Sequence, residues 1–310
     1  MEFESQFIQI GNIQIRYYGI IIVSAMLVAT VIAARLAEKR GRDPEHVYGA
    51  LTWAIIPGII LARLWFVLFP PQSVVDAGRD TAWFLENFFN VENGAIAIWS
   101  GGLSIFGAVL GGLIGALIYM RRNDLPVAPW LDIAAVVLPL GQAIGRWANY
   151  INQELFGTPI SQEWLEFIGL NLSDNIKQEA GYGAIQYFNA VFHPIFLYES
   201  LWSFAAFLVL FYLFNNRYNR FKPGDFFLIY IAQYSFIRFL LEFIRVEVTL
   251  VGDVNVSQAV TAALFVLSIG ALVYRHRPGA PEYIERKPEP AVEKESQSTP
   301  AASEPQAETT

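Results

Sequence analysis

Residues 17–34 read YYGIIIVSAMLVATVIAA, an apolar run with no charged side chain. At about 1.5 Å of rise per residue, a helix of this length covers roughly 27 Å, close to the ~30 Å hydrocarbon core of a bilayer. The run lacks a basic n-region before it and a small-residue cleavage motif after it. We therefore expect a retained membrane span rather than a signal peptide.

The composition of the whole chain extends this interpretation. Of the 310 residues, 54% are hydrophobic and only 16% are charged, and the mean hydropathy is +0.37. Soluble domains carry about 25% charged residues, so most of this surface is built to face something other than water. The sequence predicts an all-α, polytopic membrane protein.

Seven apolar stretches are predicted as transmembrane helices, at 17–34, 49–69, 96–120, 127–144, 194–214, 226–244 and 256–274. The charged residues inside them are Arg63, Asp132, Glu199, Arg238 and Glu242. The third stretch also carries Gly107, Gly111 and Gly115. Because this spacing leaves one helix face without side chains, it favours close packing against a neighbouring helix.

Lysine and arginine predict the orientation of the chain. One set of connections, together with the C-terminal tail, holds 14 of these residues, whereas the opposite set holds 5. Since cytoplasmic loops are enriched in Lys and Arg, the N-terminus is expected outside and the C-terminus in the cytoplasm. Residues 1–277 then form the membrane domain, with 145–193 as a small extracytoplasmic lobe. The polar tail 278–310 is expected to be disordered by its composition.

Several classes of protein are disfavoured by what the sequence lacks. There are no cysteines, and the three histidines have no metal-ligand spacing, so neither a thiolate site nor a metal site is expected. The formal charge of −7 argues against nucleic acid as a partner. No metal or organic cofactor is predicted.

The sixth span carries a ladder of polar side chains. Tyr234, Arg238 and Glu242 follow one another at intervals of four residues, and Arg245 comes three later. Such spacing places side chains on one helical face, which must avoid the lipid tails. The ladder is either an ion-pair rung that fixes helix packing or an arginine fork held by a carboxylate and presented to an anion. Spacing alone does not choose between them.

A second polar cluster, GRWANYINQELFG at 145–157, follows the fourth span and contains Arg146, Asn149 and Glu154. It indicates a polar pocket lining, with a simple helix cap as the alternative. The third cluster, HPIFLYES at 193–200, opens the fifth span with His193, a structural hydrogen-bonding residue or a catalyst. In the predicted orientation, these clusters share the outer half of the bilayer with Tyr18 and Arg63.

At this point the sequence resembles a known family. The pattern G-R-x-A-N-Y-I-N-x-E-x-x-G at 145–157 is similar to the signature of prolipoprotein diacylglyceryl transferases. Further elements similar to this family appear in the same order over roughly residues 10–275: Tyr17-Tyr18-Gly19, the 58–69 segment with Arg63, Trp99 to Ser104, His193 to Glu199, and Arg238 to Glu242 with Arg245. One position departs from the pattern, because Phe106 stands where some members carry a histidine proposed as the catalytic base.

The resemblance implies an activity and its partners. A diacylglyceryl group would move from phosphatidylglycerol to the lipobox cysteine thiol of a prolipoprotein signal peptide, in a multi-pass protein of the bacterial cytoplasmic membrane. The residues expected to be catalytic are Arg146, Arg238, Glu242, Tyr18 and His193. Those expected to bind substrate are Arg146, Asn149, Glu154, Tyr234, Arg63 and Arg245.

Two alternatives stay open at the level of sequence. A transporter or a non-catalytic lipid-binding membrane protein would also place Arg and Glu inside the bilayer. However, the charged groups gather at one depth, and no internal repeat typical of transporters is found. An inactive relative of the transferases is the other alternative, and it is suggested only by Phe106.

Overall fold

The computed structural model describes residues 7–280, apart from 11–12, 180, 183, 185–186, 188, 247–249 and 252–253. The α-helices in this part of the chain are α1 (Tyr17–Lys39), α2 (Glu45–Leu68), α3 (Gln72–Asp76), α4 (Thr81–Glu86), α5 (Ile105–Arg122), α6 (Val127–Ile151), α7 (Asp174–Glu179), α8 (Ile195–Asn216), α9 (Asp225–Leu241) and α10 (Val256–Arg275). Short 3₁₀ helices cover Ile98–Ser100, Glu163–Ile168 and Tyr218–Arg220. Two antiparallel hairpins, β1 (Phe7–Ile10) with β2 (Ile13–Arg16) and β3 (Leu250–Val251) with β4 (Val254–Asn255), are its only named strands.

The helical class predicted from composition is confirmed. Six helices of the described chain, α1, α2, α5, α6, α8 and α10, have the length and apolar composition needed to cross a membrane. The sixth apolar stretch forms α9, which is 17 residues long and somewhat shorter than the others. The six helices make a polytopic membrane protein, and the seventh span stays a prediction.

Helix α6 lies at the centre of the bundle, where it packs against α1, α8 and α9, while α10 packs on α9. The largest core cluster gathers at the N-terminal ends of α6 and α9 and the C-terminal ends of α1 and α8. Phe214 and Phe226 are fully buried there, with ring centroids 5.1 Å apart. This cluster fixes the end of the bundle opposite the polar side chains described below.

Asp132, a charged residue within a predicted span, has a structural explanation at the same end. It is fully buried, and its carboxylate accepts hydrogen bonds from the backbone N–H of Gly224 at 2.7 Å and of Phe227 at 3.0 Å. Unsatisfied N–H groups at a helix N-terminus favour an anion, so Asp132 ties α6 to the start of α9.

The glycine stripe of the third span is the contact surface between α5 and α2. Added Cβ atoms would lie 2.0 Å from the carbonyl oxygen of Leu61 at Gly107, 2.2 Å from that of Pro57 at Gly111, and 2.0 Å from that of Trp53 at Gly115. Only glycine allows the two backbones to approach this closely. The packing function predicted for these glycines is confirmed.

Three of the predicted span boundaries that differ from the helix ends bear on the site. Helix α5 starts at Ile105 rather than at 96, because Gly101 (φ 92°) and Gly102 (φ 71°) adopt backbone conformations that no helix contains. Helix α6 continues to Ile151, so Arg146 and Asn149 lie on its last turns rather than beyond its end. Helix α9 stops at Leu241, which leaves Glu242 as its C-cap.

The described residues of the segment predicted as a lobe are folded, although the first seven of them belong to α6. Its own apolar cluster is formed by Phe156, Leu170, Leu172, Phe192 and Phe196. Isolated β-bridges join Phe192 to Pro159 and to Leu170. The tail that was expected to be disordered lies almost entirely outside the described residues, which end at 280.

Candidate active site

Two arginines and two glutamates from three helices form one ion-pair cluster. Arg146 on α6 contacts Glu199 on α8 through Nη2 and Oε2. Arg238 on α9 reaches the other oxygen of the same carboxylate, with Nη1 3.4 Å from Oε1. Its Nη2 lies 2.9 Å from Oε2 of Glu242, one turn further along. We refer to these four residues as the arginine–glutamate cluster.

Burial within the arginine–glutamate cluster is unequal. The side chains of Glu199 and Glu242 are 3% and 1% exposed, whereas those of Arg146 and Arg238 are 22% and 15% exposed. The carboxylates therefore lie behind the guanidinium groups. A guanidinium has five N–H donors, so each arginine keeps donors for a further anion on its accessible side.

The signature following Arg146 folds into a small network around Glu154. Its carboxylate accepts hydrogen bonds from Asn149 Nδ2 at 3.1 Å and from Asn152 Nδ2 at 3.0 Å. Tyr18, at the start of α1, lies within electrostatic range of both Glu154 and Arg146. Asn149 and Glu154 are therefore in direct contact, and Tyr18 lies near enough to Glu154 and Arg146 to feel their charges.

Gly157, the last residue of the signature, lies where three motifs meet. Its N–H donates to the carbonyl of His193 at 2.8 Å, and the N–H of Thr158 donates to that of Ile244, also at 2.8 Å. A Cβ on Gly157 would lie 2.6 Å from the Ile244 oxygen and 2.9 Å from the His193 Cβ. Glycine at this position lets three segments pack backbone to backbone: the signature at 145–157, the start of the 193–200 cluster and the end of α9.

His193 lies in this junction rather than in the arginine–glutamate cluster. Its Nδ1 is 3.1 Å from the hydroxyl of Tyr198, and its N–H donates to the Thr158 carbonyl at 3.1 Å. Burial lowers the pKa of His193 below its ordinary value, because desolvation disfavours the imidazolium form. The neutral form is therefore favoured at pH 7.

Arg63 hydrogen-bonds a loop and not the arginine–glutamate cluster. Its Nε donates to the carbonyl of Ala95 at 2.8 Å, Nη2 to Gly94 at 2.6 Å, and Nη1 to Gly101 at 2.6 Å and Gly102 at 3.0 Å. The residue is 6% exposed. This arginine holds the loop before α5 by its backbone carbonyls, so its guanidinium is already occupied by protein.

The polar ladder of the sixth span is only partly formed. Arg238 and Glu242 pair as predicted, whereas the ring of Tyr234 stacks on Tyr230 with centroids 6.2 Å apart. Arg245 lies beyond the end of α9, and its backbone pairs with Gly157 in an isolated β-bridge. The expectation of one continuous helical face is wrong for Arg245, because helical spacing ends with the helix.

Phe106 occupies the second residue of α5. It is 68% exposed, and its ring lies 5.9 Å from that of Trp65 on α2. An aromatic ring at this place contributes apolar contact and cannot transfer a proton.

Sequence reasoning did not select Glu199 as a site residue. Its signal was nevertheless present, since it is one of few charged residues inside a predicted span and such residues by default mark function. What the sequence lacked was the partner, because Arg146 and Arg238 are distant from it along the chain and meet it only through packing of α6 and α9 on α8.

Comparison with known proteins shows the family of this chain. The family model described as prolipoprotein diacylglyceryl transferase matches residues 5–274. The chain belongs to this family. It is similar to proteins named phosphatidylglycerol–prolipoprotein diacylglyceryl transferase from Listeria monocytogenes (37% identity, 90% of this chain and 93% of the relative), Pediococcus pentosaceus (37%, 89% and 92%) and Gloeobacter violaceus (34%, 88% and 93%).

For a member of the prolipoprotein diacylglyceryl transferase family, the geometry brings the recognised sequence elements together. The signature at 145–157, the 193–200 cluster and the end of α9 meet at Gly157. The arginine–glutamate cluster joins the helices that carry these segments. The match covers nearly all of the described chain, so it includes every residue of this site.

Proposed function

We propose that this protein transfers the diacylglyceryl group of phosphatidylglycerol to the cysteine thiol of a prolipoprotein, the first step of lipoprotein maturation. The observation that carries the proposal is the convergence of Arg146 and Arg238, from two helices, on the carboxylate of Glu199, with both guanidinium groups partly accessible. Planar guanidinium forks match phosphate oxygens, and the leaving group of this reaction is a phosphate ester.

The proposed reaction is a displacement at carbon. The cysteine sulfur forms a bond to the terminal glycerol carbon of the diacylglyceryl group, while the bond from that carbon to the phosphate oxygen breaks. The electron pair of the broken bond stays on the oxygen, so glycerol phosphate leaves. The thiol gives its proton to water or to a neighbouring group, since a thiolate is the effective nucleophile.

Arg146 and Arg238 act on the phosphate in this scheme. Their positive charges stabilise the negative charge that grows on the departing oxygen, and such fixed donors act strongly where water is excluded. Glu242 orients Arg238 through the ion pair of 2.9 Å. The same arginines favour the thiolate over the thiol, because a nearby positive charge stabilises the anion.

The network around Glu154 is the proposed pocket for the lipid headgroup. Asn149 and Glu154 supply amide and carboxylate groups suited to the hydroxyls of glycerol. The Tyr18 hydroxyl would hydrogen-bond the lipid or the acceptor peptide, which its electrostatic interaction with Glu154 and Arg146 supports. Tyr234 and Arg245 lie on either side of Arg238 and Glu242 in the sequence and are proposed as further substrate contacts. Arg63 contributes by shaping the loop before α5, since its donors bind that loop.

If the reaction uses a side chain as its base, His193 is the candidate. Because Phe106 cannot accept a proton, the reaction would depend on positioning of the cysteine thiolate. A few per cent of a free cysteine thiol is already ionised at neutral pH without any base. Burial lowers the pKa of His193, so its neutral imidazole could accept a proton. Its hydrogen bond to Tyr198 and its packing against Gly157 support a positioning role for the loop instead.

The proposed topology has seven spans, with the N-terminus outside and the C-terminus in the cytoplasm. Helix α9 is the additional span: at about 1.5 Å per residue its 17 residues cover roughly 26 Å, and it packs against α6, α8 and α10. The Lys and Arg distribution supports the orientation, which puts the site toward the outer leaflet of a bacterial cytoplasmic membrane. A lipobox signal peptide would reach it there.

The experiment that tests the proposal is incubation of the purified protein with phosphatidylglycerol and a lipobox peptide, followed by mass spectrometry of the peptide. The expected product carries one diacylglyceryl group on its cysteine. A peptide with serine at that position is the matched control and should stay unmodified. No mass increase with the folded protein would contradict the proposal and favour the transporter, lipid-binding or inactive alternatives.

A further inference from the structure

The charge balance of the arginine–glutamate cluster bears on how product leaves. Two guanidinium groups face two carboxylates, so the cluster has a formal charge of zero before any substrate enters. Both carboxylates are almost fully buried beside the arginines, which are the accessible groups of the cluster. Any bound phosphate therefore interacts with positive and negative charges together.

Under the proposed function, on which this inference rests, the substrate and the product differ in charge. Phosphatidylglycerol is a phosphodiester with one negative charge. Glycerol phosphate is a monoester whose second proton has a pKa near 6, so it carries between about 1.5 and 2 negative charges at pH 7. A site made of arginines alone would bind the product more tightly than the substrate, which would slow turnover.

We propose that Glu199 is a charge-balancing residue that prevents this selective retention of product. Its carboxylate contacts both arginines, and so lies behind any phosphate bound between them. It repels the doubly charged monoester more strongly than the singly charged diester. Glu199 is thus a positioning and specificity-determining residue that acts through Arg146 and Arg238.

Glu199 is better placed for this task than Glu242. Glu242 pairs with Arg238 alone and also accepts a hydrogen bond from Asn255 at 3.4 Å. Glu199 comes from a third helix and bridges the two arginines, so it also sets their separation. Loss of its charge should therefore affect the binding of any ligand that uses both guanidinium groups.

Equilibrium dialysis of labelled glycerol phosphate and labelled glycerophosphoglycerol against the purified protein tests the proposal. These probes are the monoester and a diester of the same glycerol headgroup. The wild-type protein should bind them with similar affinity. Glu199→Gln should bind the monoester about tenfold more tightly than the wild type does, with a smaller change for the diester. In the transfer assay, this variant should show stronger inhibition by added glycerol phosphate.

Two comparisons separate charge balance from a merely structural effect. Glu86→Gln removes the same charge from an exposed position on α4 and should leave both affinities unchanged. Glu199→Asp keeps the charge and should keep the affinity ratio of the wild type even where its rate falls. An unchanged ratio in folded Glu199→Gln, or the same shift in Glu199→Asp, overturns the proposal.

If Glu199→Gln is not recovered folded, Glu242→Gln takes its place in the dialysis, because it also removes one negative charge from the cluster. It should tighten monoester binding to a smaller degree, and an unchanged ratio would overturn the charge-balance account. Transfer to the lipobox peptide is measured with the same wild-type preparation. No transfer means that the proposed function fails, whereas transfer together with unchanged affinity ratios means that only the inference on Glu199 fails.

Discussion

Arg63 and Gly102 are matched in space: a Cβ atom on Gly102 would lie 2.6 Å from Nη1 of Arg63 and 2.6 Å from a ring carbon of Phe66. The guanidinium thus takes the room that a side chain at 102 would need. The guanidinium also donates hydrogen bonds to backbone carbonyls of the 94–102 loop. Gly102 therefore leaves the space that the Arg63 guanidinium occupies.

Gly102→Ala should therefore destabilise the protein by about 2 kcal/mol or more, since it displaces a buried, hydrogen-bonded arginine and adds backbone strain at φ 71°. Thermal unfolding in detergent measures the effect. Gly101→Ala is the matched control, because Gly101 also has a positive φ but no atom within 4 Å of an added Cβ. Equal losses in the two variants would show that the contact with Arg63 contributes nothing.

Arg238→Lys should lower the transfer rate by about a hundredfold or more. The two ends of the Arg238 fork reach different carboxylates, at 3.4 Å to Glu199 and 2.9 Å to Glu242. A single ammonium cannot make both contacts and still face a phosphate. Turnover is measured by peptide mass, with size-exclusion profiles to check folding. A rate near that of the wild type would exclude a fork function for Arg238.

The sequence predicted most of the helices and the glycine contact because both follow from local patterns. Apolar runs define spans, and spacing of four residues defines the stripe Gly107, Gly111 and Gly115. The predicted start of the third span is wrong, because residues 96–104 are apolar enough for a span but are held outside α5 by hydrogen bonds from Arg63, which is distant in sequence. Hydropathy does not reveal a hydrogen-bonding partner that lies far away in sequence.

The site residues proposed from the sequence stay a prediction, but some contacts between them follow from their spacing and others do not. Arg146, Asn149 and Glu154 lie together as their spacing on a helix and the following turn suggests. Glu199 was missed because its partners lie on other helices, and Arg63 was grouped with the site because depth in the membrane does not specify direction. Contacts between helices come from packing, which no single segment encodes.

Removal of the His193 imidazole should leave transfer active. We expect His193→Gln to retain turnover across pH 6 to 9, and Phe106→His to raise the rate mainly at the acidic end, where thiolate is scarce. Both variants are assayed by peptide mass at matched phosphatidylglycerol concentrations. If His193→Gln abolishes transfer while folding and lipid binding persist, His193 is the base and thiolate positioning alone is insufficient.

Acidification should destabilise the wild type in part through His193. Its pKa in the folded protein is lowered by burial, so below the ordinary value of about 6.5 the unfolded chain binds the proton first. Stability is therefore lost as the pH falls through that value toward the folded pKa. Between pH 7.5 and 5.5, His193→Gln should lose less thermal stability than the wild type. Identical losses would contradict the assignment.

Deletion of residues 281–310 should leave transfer unchanged. The family match ends at residue 274, and the deleted stretch is rich in Pro, Glu, Ser and Thr without apolar periodicity. In the proposed topology it also lies across the membrane from the site. The comparison is made at equal amounts of inserted protein, and a truncated protein that loses most of its turnover would contradict this expectation.

The central claim is that Arg146 and Arg238 assist departure of glycerol phosphate from phosphatidylglycerol. Its most direct test uses phosphatidylglycerol labelled separately in the acyl chains and in the headgroup, with a lipobox peptide as acceptor. The account predicts that the acyl label joins the peptide while the headgroup label is released as glycerol phosphate in equal amount, and that folded Arg146→Ala and Arg238→Ala do neither. Headgroup label on the peptide, or undiminished transfer in either variant, would contradict it.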